Sequence, residues 1–178
     1  MWLILLAAIS ACSSEIVVRT DFDRSVSVQK LTEYAWLAQH DIESRNNPLL
    51  YNELNDKRIK DEVNRQLTAK GYVLSEAAPK FLVHYHITVE ERSVVRPEEF
   101  GYTYGKYWLE HRTDLIRYAE GTLIIDIMDA TNCALLWRGW ATSVLDDSRV
   151  MNEELLMRAV RDIFKRFPES AAREAVTP

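Results

Sequence analysis

Phe81 to Glu90 sets Phe81, Val83, Tyr85, Ile87 and Val89 in strict alternation with Leu82, His84, His86, Thr88 and Glu90. Successive side chains of a strand point to opposite sides, so this run makes a half-buried β-strand with one apolar face. Such a strand is not stable alone and must find partners. Gly121 to Asp129 supplies one, with Leu123, Ile125 and Ile127 on one face. After a turn through Ala130–Cys133 the chain returns as Ala134 to Leu145, where Trp137, Gly139 and Ala141 share a face. The small residues there predict that a helix backbone packs close. Glu15 to Asp23, with Ile16, Val18, Thr20 and Phe22 on one side, and Glu33 to Leu37, with Tyr34 and Trp36 on one side, read as two further strands.

The apolar face of this sheet needs a cover, and two amphipathic segments supply it. Leu54, Ile59, Val63 and Leu67 form a stripe along Asn52 to Lys70, with Asn52 or Asn55 as cap and Gly71 as left-handed terminator. Its outward residues Asp56, Lys57, Lys60, Asp61 and Arg65 mix signs, as a solvated face does. The second helix, Glu153 to Phe167, follows Asn152 and carries Leu156, Val160, Ile163, Phe164 and Phe167 before Pro168 stops it. Gln39 to Pro48 is polar and reads as loop. The expected class is α+β: a largely antiparallel sheet of about five or six strands with two helices packed on one face.

A chain of 178 residues with 47% apolar and 28% charged residues suits one such domain. The formal net charge of −5 argues against nucleic acid, which needs a basic face. Two cysteines do not make a disulfide scaffold. The N-terminus is unlike the rest. Trp2 to Ile9 is unbroken apolar sequence, too short to span a bilayer, which takes about 20 residues, but the length of a signal-peptide core. No Lys or Arg precedes it. Ile9-Ser10-Ala11-Cys12 resembles a lipobox, in which small residues enter a peptidase and the cysteine thiolate takes a diacylglyceryl group. Two or more acyl chains, palmitate among them, anchor stably without a transmembrane helix. Asp after the lipidated cysteine would hold a lipoprotein at the inner membrane; Ser13 and Ser14 instead resemble outer-membrane cargo facing the periplasm. The expected organisation is a signal peptide over 1–11, a lipoprotein domain over 12–168 lipidated at Cys12, and a flexible tail over 169–178. The remaining thiol, Cys133, is then unpaired near a turn.

A larger pattern runs through the chain. It comprises the lipobox, Thr20-Asp21-Phe22-Asp23, Tyr34-Ala35-Trp36-Leu37 and a helix ending Leu67-Thr68-Ala69-Lys70-Gly71-Tyr72. Leu82-Val83-His84-Tyr85-His86, Glu120-Gly121-Thr122-Leu123-Ile124-Ile125-Asp126, Leu136-Trp137-Arg138-Gly139 and Phe167-Pro168 follow in order. This resembles the uncharacterised bacterial lipoprotein family called domain of unknown function 4136, over nearly the whole mature chain. The resemblance implies a periplasm-facing α+β domain on a lipid anchor and brings no catalytic residues with it.

The longest connection, Ser93 to Tyr118, would place twenty-six residues between two strands, and loops of that length are usually functional or mobile. It holds Tyr102, Tyr104, Tyr107 and Trp108, whose rings suit a contact with an envelope protein or glycan, or fold back on the sheet. His84 and His86 point to one face, with Glu90 beside them; a metal would need a third ligand, such as His111 or Asp126. Histidine is also at home on a solvated sheet face, so no metal or cofactor is assigned. Ser27-Val28-Gln29-Lys30 spells S-x-x-K without its companion elements, and Asp21 and Asp23 end a strand where Asp favours local turns. With no catalytic motif, the expectation is a non-catalytic binding or assembly module in the envelope. The alternative is an envelope hydrolase or metal-dependent enzyme using the His84/His86 face.

Overall fold

The computed structural model describes residues 15–37, 52–98, 112–145 and 151–174. Six strands form one sheet: β1 (Ile16–Phe22), β2 (Glu33–Trp36), β3 (Val73–Leu74), β4 (Phe81–Glu98), β5 (Arg112–Asp129) and β6 (Leu135–Val144). The helices are α1 (Glu53–Ala69), α2 (Glu153–Phe164) and the single turn α3 (Ala171–Glu174). Strand order is β1-β6-β5-β4-β2-β3. The β1–β6, β6–β5 and β5–β4 pairs are antiparallel, whereas β2 runs parallel to both β4 and β3. The sheet is therefore mixed. Two-residue β3 has no periodicity to reveal it in sequence, and it forms because Val73 N donates to Thr32 O once α1 has turned the chain back.

The alternation in β4 works as expected. Phe81, Val83, Tyr85 and Ile87 are buried with Leu123, Ile125 and Ile127 of β5 and Trp137 and Ala141 of β6. Ile59, Val63 and Leu67 of α1 and Leu156, Val160, Ile163 and Phe164 of α2 cover them from one side. Leu54, placed on the α1 stripe by its spacing, is 65% exposed. Asn55 and Glu62 are buried on that helix instead. Glu62, 1% exposed, is held by Arg65 at 2.6 Å and accepts from Gln66 Nε2 at 2.9 Å. Buried Tyr34 donates its hydroxyl to Asn64 Oδ1 at 2.9 Å, and burial pushes its pKa up to about 12.

Both helix starts are capped by the expected residue type: Asn52 Oδ1 accepts from Asn55 N, and Asn152 Oδ1 from Leu155 N. Gly71, at φ 87°, ends α1. Tyr72 N donates to Leu67 O and Gly71 N to Thr68 O, the Schellman pattern that satisfies the last carbonyls. The next chain segment to touch this turn is the one expected to fray. Ser170 is fully buried, its N donating to Lys70 O and its Oγ to Gly71 O, and α3 follows. The C-terminal segment is thus packed as far as Ser170, because it completes the hydrogen bonding at the end of α1.

Gly139 is the small residue that admits a helix, and what approaches is a side chain rather than a backbone. A Cβ there would lie 2.6 Å from Ile163 Cγ2 of α2 and would clash with Trp137 Cη2. Gly139→Ala is expected to destabilise the domain by about 2 kcal/mol through overpacking, read as a lowered urea midpoint at constant slope.

The long connection is also shorter than its sequence suggests. Ser93 to Glu98 continue β4 and Arg112 to Tyr118 begin β5, paired from Ser93↔Arg117 to Glu98↔Arg112. β6 ends opposite Glu120, so this stretch is a two-stranded arm. Val94↔Ile116 and Val95↔Leu115 are exposed pairs within it. Backbone pairing without a buried face leaves no alternation to read.

Candidate functional site

The helices cover one face of the sheet. The other face is built by the residues that alternate with the core, arranged in rows by strand register. His84, Asp126, Arg138 and Asp21 stand opposite one another across β4, β5, β6 and β1. The next row is His86, Ile124, Trp140 and Arg19, and the next Thr88, Thr122, Thr142 and Val17. The third row, Ile124, Trp140 and Arg19 of the second and Arg138 of the first line a shallow groove of about 700 Å³ with Glu90, Glu120 and Glu15 beyond them.

The chemistry of the groove is graded. Arg92 bridges Glu90 at 2.8 Å and Glu120 at 3.3 Å at one end. In the middle the Thr122 and Thr142 hydroxyls bond across strands at 3.0 Å. Ile124 and Trp140, both partly exposed, make an apolar step, and Arg19 and Arg138 lie at the far end.

Beside the groove is a dense polar cluster. Asp126 is only 4% exposed. Arg138, directly across on β6, donates to it twice: Nε to Oδ1 at 2.6 Å and Nη2 to Oδ2 at 2.7 Å. These bonds, the first cause, hold the arginine more firmly protonated than usual. On the β4 side, His84 Nδ1 is 3.0 Å from His86 Nε2, with the rings near perpendicular. His86 Nε2 is 3.8 Å from Asp126 Oδ2. Of the third ligands weighed from sequence, register selects Asp126, since it sits opposite His84. Glu90 is engaged by Arg92, and His111 lies outside the described residues. Arg138 is the member that sequence reasoning missed; its sole signal was an arginine aligned with Asp126 across the Ala130–Cys133 turn.

Other candidates resolve into local structure. Asp23 Oδ1 accepts from Ser25 N and Oγ, which lowers its pKa, and Asp21 accepts from Phe22 N. Ser27 bonds Gln29, at the start of a 3-10 turn over Val28–Lys30. Asp129 closes the β5–β6 turn by accepting from Thr131 and Asn132, and exposed Cys133 there has φ 57°. Residues 1–11, Cys12, the polar segment 39–48, and Tyr102, Tyr104, Tyr107 and Trp108 lie outside the described residues. Among the described residues no helix is long and apolar enough to cross a membrane.

A protein-family model described as a domain of unknown function (DUF4136) matches residues 18–169, from β1 through the segment that follows α2. The chain belongs to the DUF4136 family. This DUF4136 chain is similar in fold to a PDZ domain protein from Parabacteroides distasonis ATCC 8503, at 15% identity and TM-score 0.56, over 87% of this chain and 36% of that one. It thus spans about a third of that protein's length. PelC dodecamers from Paraburkholderia phytofirmans in two crystal forms match at 11% identity, with TM-scores of 0.40 and 0.42, over 84% of this chain and 94% of theirs. At 15% identity the likeness to the PDZ domain protein is one of fold alone. No curated protein matches the DUF4136 chain.

Proposed function

We propose that this DUF4136 protein is a non-catalytic binding module of the bacterial envelope. It is lipidated at Cys12, held at the outer membrane facing the periplasm, and uses its open sheet face to receive a glycan strand. The observation that carries the reading is the groove: one face of the sheet lies outside the helix layer and is polar, concave and about 700 Å³ in volume. Trp140 and Ile124 offer a step on which the C–H face of a sugar ring can stack, while Thr122, Thr142 and the flanking arginines and glutamates suit its hydroxyls. The local engagement of Ser27, Asp21 and Asp23 supports a binding role over acid–base or nucleophilic chemistry.

The anchor and the groove are tested separately. Membrane-extracted protein is expected to have the intact mass of a chain starting at an acylated Cys12; a mass retaining Met1 ends the tether reading. Wild-type protein is expected to co-sediment with purified peptidoglycan sacculi. Trp140→Ala is expected to weaken this at least tenfold, or about 1.4 kcal/mol, with its circular dichroism unchanged. Equal retention of the variant removes the groove from the account.

A further inference from the structure

We infer that His84, His86 and Asp126 form a binding site for one divalent transition-metal ion of the zinc type on the open sheet face. The inference stands apart from the glycan reading, which uses Ile124, Trp140, Thr122 and Thr142 and none of these three side chains. Its basis is the convergence of three donor atoms: the two imidazole nitrogens and an Asp126 carboxylate oxygen lie within 4.8 Å of one another. Zinc sits about 2.0–2.2 Å from nitrogen and oxygen ligands, so ligands sharing one ion are roughly 3–4 Å apart. The His84 Nδ1 to His86 Nε2 separation of 3.0 Å and the His86 Nε2 to Asp126 Oδ2 separation of 3.8 Å both fall in that range.

The backbone imposes this arrangement. Residues 84 and 86 share a face because a strand repeats every two residues, and the β4–β5 register sets Asp126 opposite His84. All three donors therefore sit on rigid sheet rather than on a loop. The near-perpendicular rings, 77° apart with centroids 4.2 Å apart, bring one nitrogen of each within 3.0 Å of the other. Binding through both facing nitrogens replaces the hydrogen bond between them; the hydrogen it carried moves to the other nitrogen of the donor ring, so each imidazole ligates in its neutral form. Arg138 holds the carboxylate in place through both oxygens, as outer hydrogen bonds commonly hold a ligating carboxylate. Two imidazoles and one carboxylate suit zinc, nickel or copper better than calcium or magnesium, which prefer oxygen. The side chain of His86 is 30% exposed, so an ion can enter from solvent.

The test uses full-length protein purified without a polyhistidine tag, dialysed against micromolar Zn²⁺ or Co²⁺. One ion per chain is expected, with a Co²⁺ absorption spectrum of nitrogen and oxygen ligands. His84→Ala/His86→Ala is expected to lose at least a hundredfold in affinity, and Asp126→Asn at least tenfold. Glu90→Gln, which alters an acid on the same face outside the cluster, is expected to bind like wild type. Failure of the wild type to take up a stoichiometric ion overturns the inference. So does retention of the ion by the double variant, or an equal loss in Glu90→Gln. Should a variant not fold, the wild type still decides: Co²⁺ must selectively broaden the ring resonances of His84 and His86, and broadening elsewhere alone overturns the site.

Discussion

Phe164→Ala is expected to cost about 4 kcal/mol of stability, near the middle of the range for removing a buried aromatic ring. Phe164 is fully buried at the last turn of α2, with its ring centroid 5.6 Å from that of Phe167 and 6.4 Å from that of Trp137. Phe167 in turn meets Tyr72, and Tyr72 meets Phe81, so these rings tie α2 to the end of α1 and to β4. Truncation opens a cavity in the middle of that chain, which neighbours locked in sheet and helix cannot close. For a domain of this size the loss corresponds to roughly 10 °C in melting temperature. Leu54→Ala is the contrast, since Leu54 sits on the expected stripe of α1 yet is largely exposed and is expected to change stability by under about 0.5 kcal/mol. Denaturant titrations of both variants decide the matter, and comparable losses would show that the exposed end of α1 is packed in solution.

Arg138→Ala is expected to destabilise by about 3 kcal/mol. The penalty arises less from the attraction lost than from a carboxylate left buried without its cation. Asp126 is almost inaccessible, and Arg138 supplies two short charge-assisted bonds to it, at 2.6 and 2.7 Å. Because Arg138 itself is 42% exposed, water can reach part of the vacated space, which keeps the estimate at the lower end for a broken buried pair. The double variant Asp126→Leu/Arg138→Leu removes both charges and is expected to recover most of the loss. A double-mutant cycle on chemical unfolding measures this directly. Additive losses would mean that the two side chains contribute independently and that the pair does not organise the row.

The elements legible in the sequence were those with one wet and one dry side. β4, β5, β6 and the two long helices each carry the period of their own geometry, and Asn52, Asn152 and Gly71 mark helix ends by local hydrogen bonding and left-handed backbone. The parallel placement of β2, the strand pair that extends the β4–β5 hairpin, and β3 were not legible. Each is held by backbone pairing whose side chains leave little or no buried pattern. Leu54 shows the same limit from the helix side, since spacing defines a stripe but not where along the helix its cover ends.

The candidate cluster divides in the same way. The two-residue period of a strand alone put His84 and His86 on one face, because that period is a property of the extended chain. The choice of Asp126 over Glu90 rested on register, and the pairing of Asp126 with Arg138 on the β5–β6 hairpin. Register is set by which rows bury their apolar partners under α1 and α2, a condition that exists only once the whole sheet has assembled. Local periodicity thus determined the faces, and tertiary packing decided which residues meet across them.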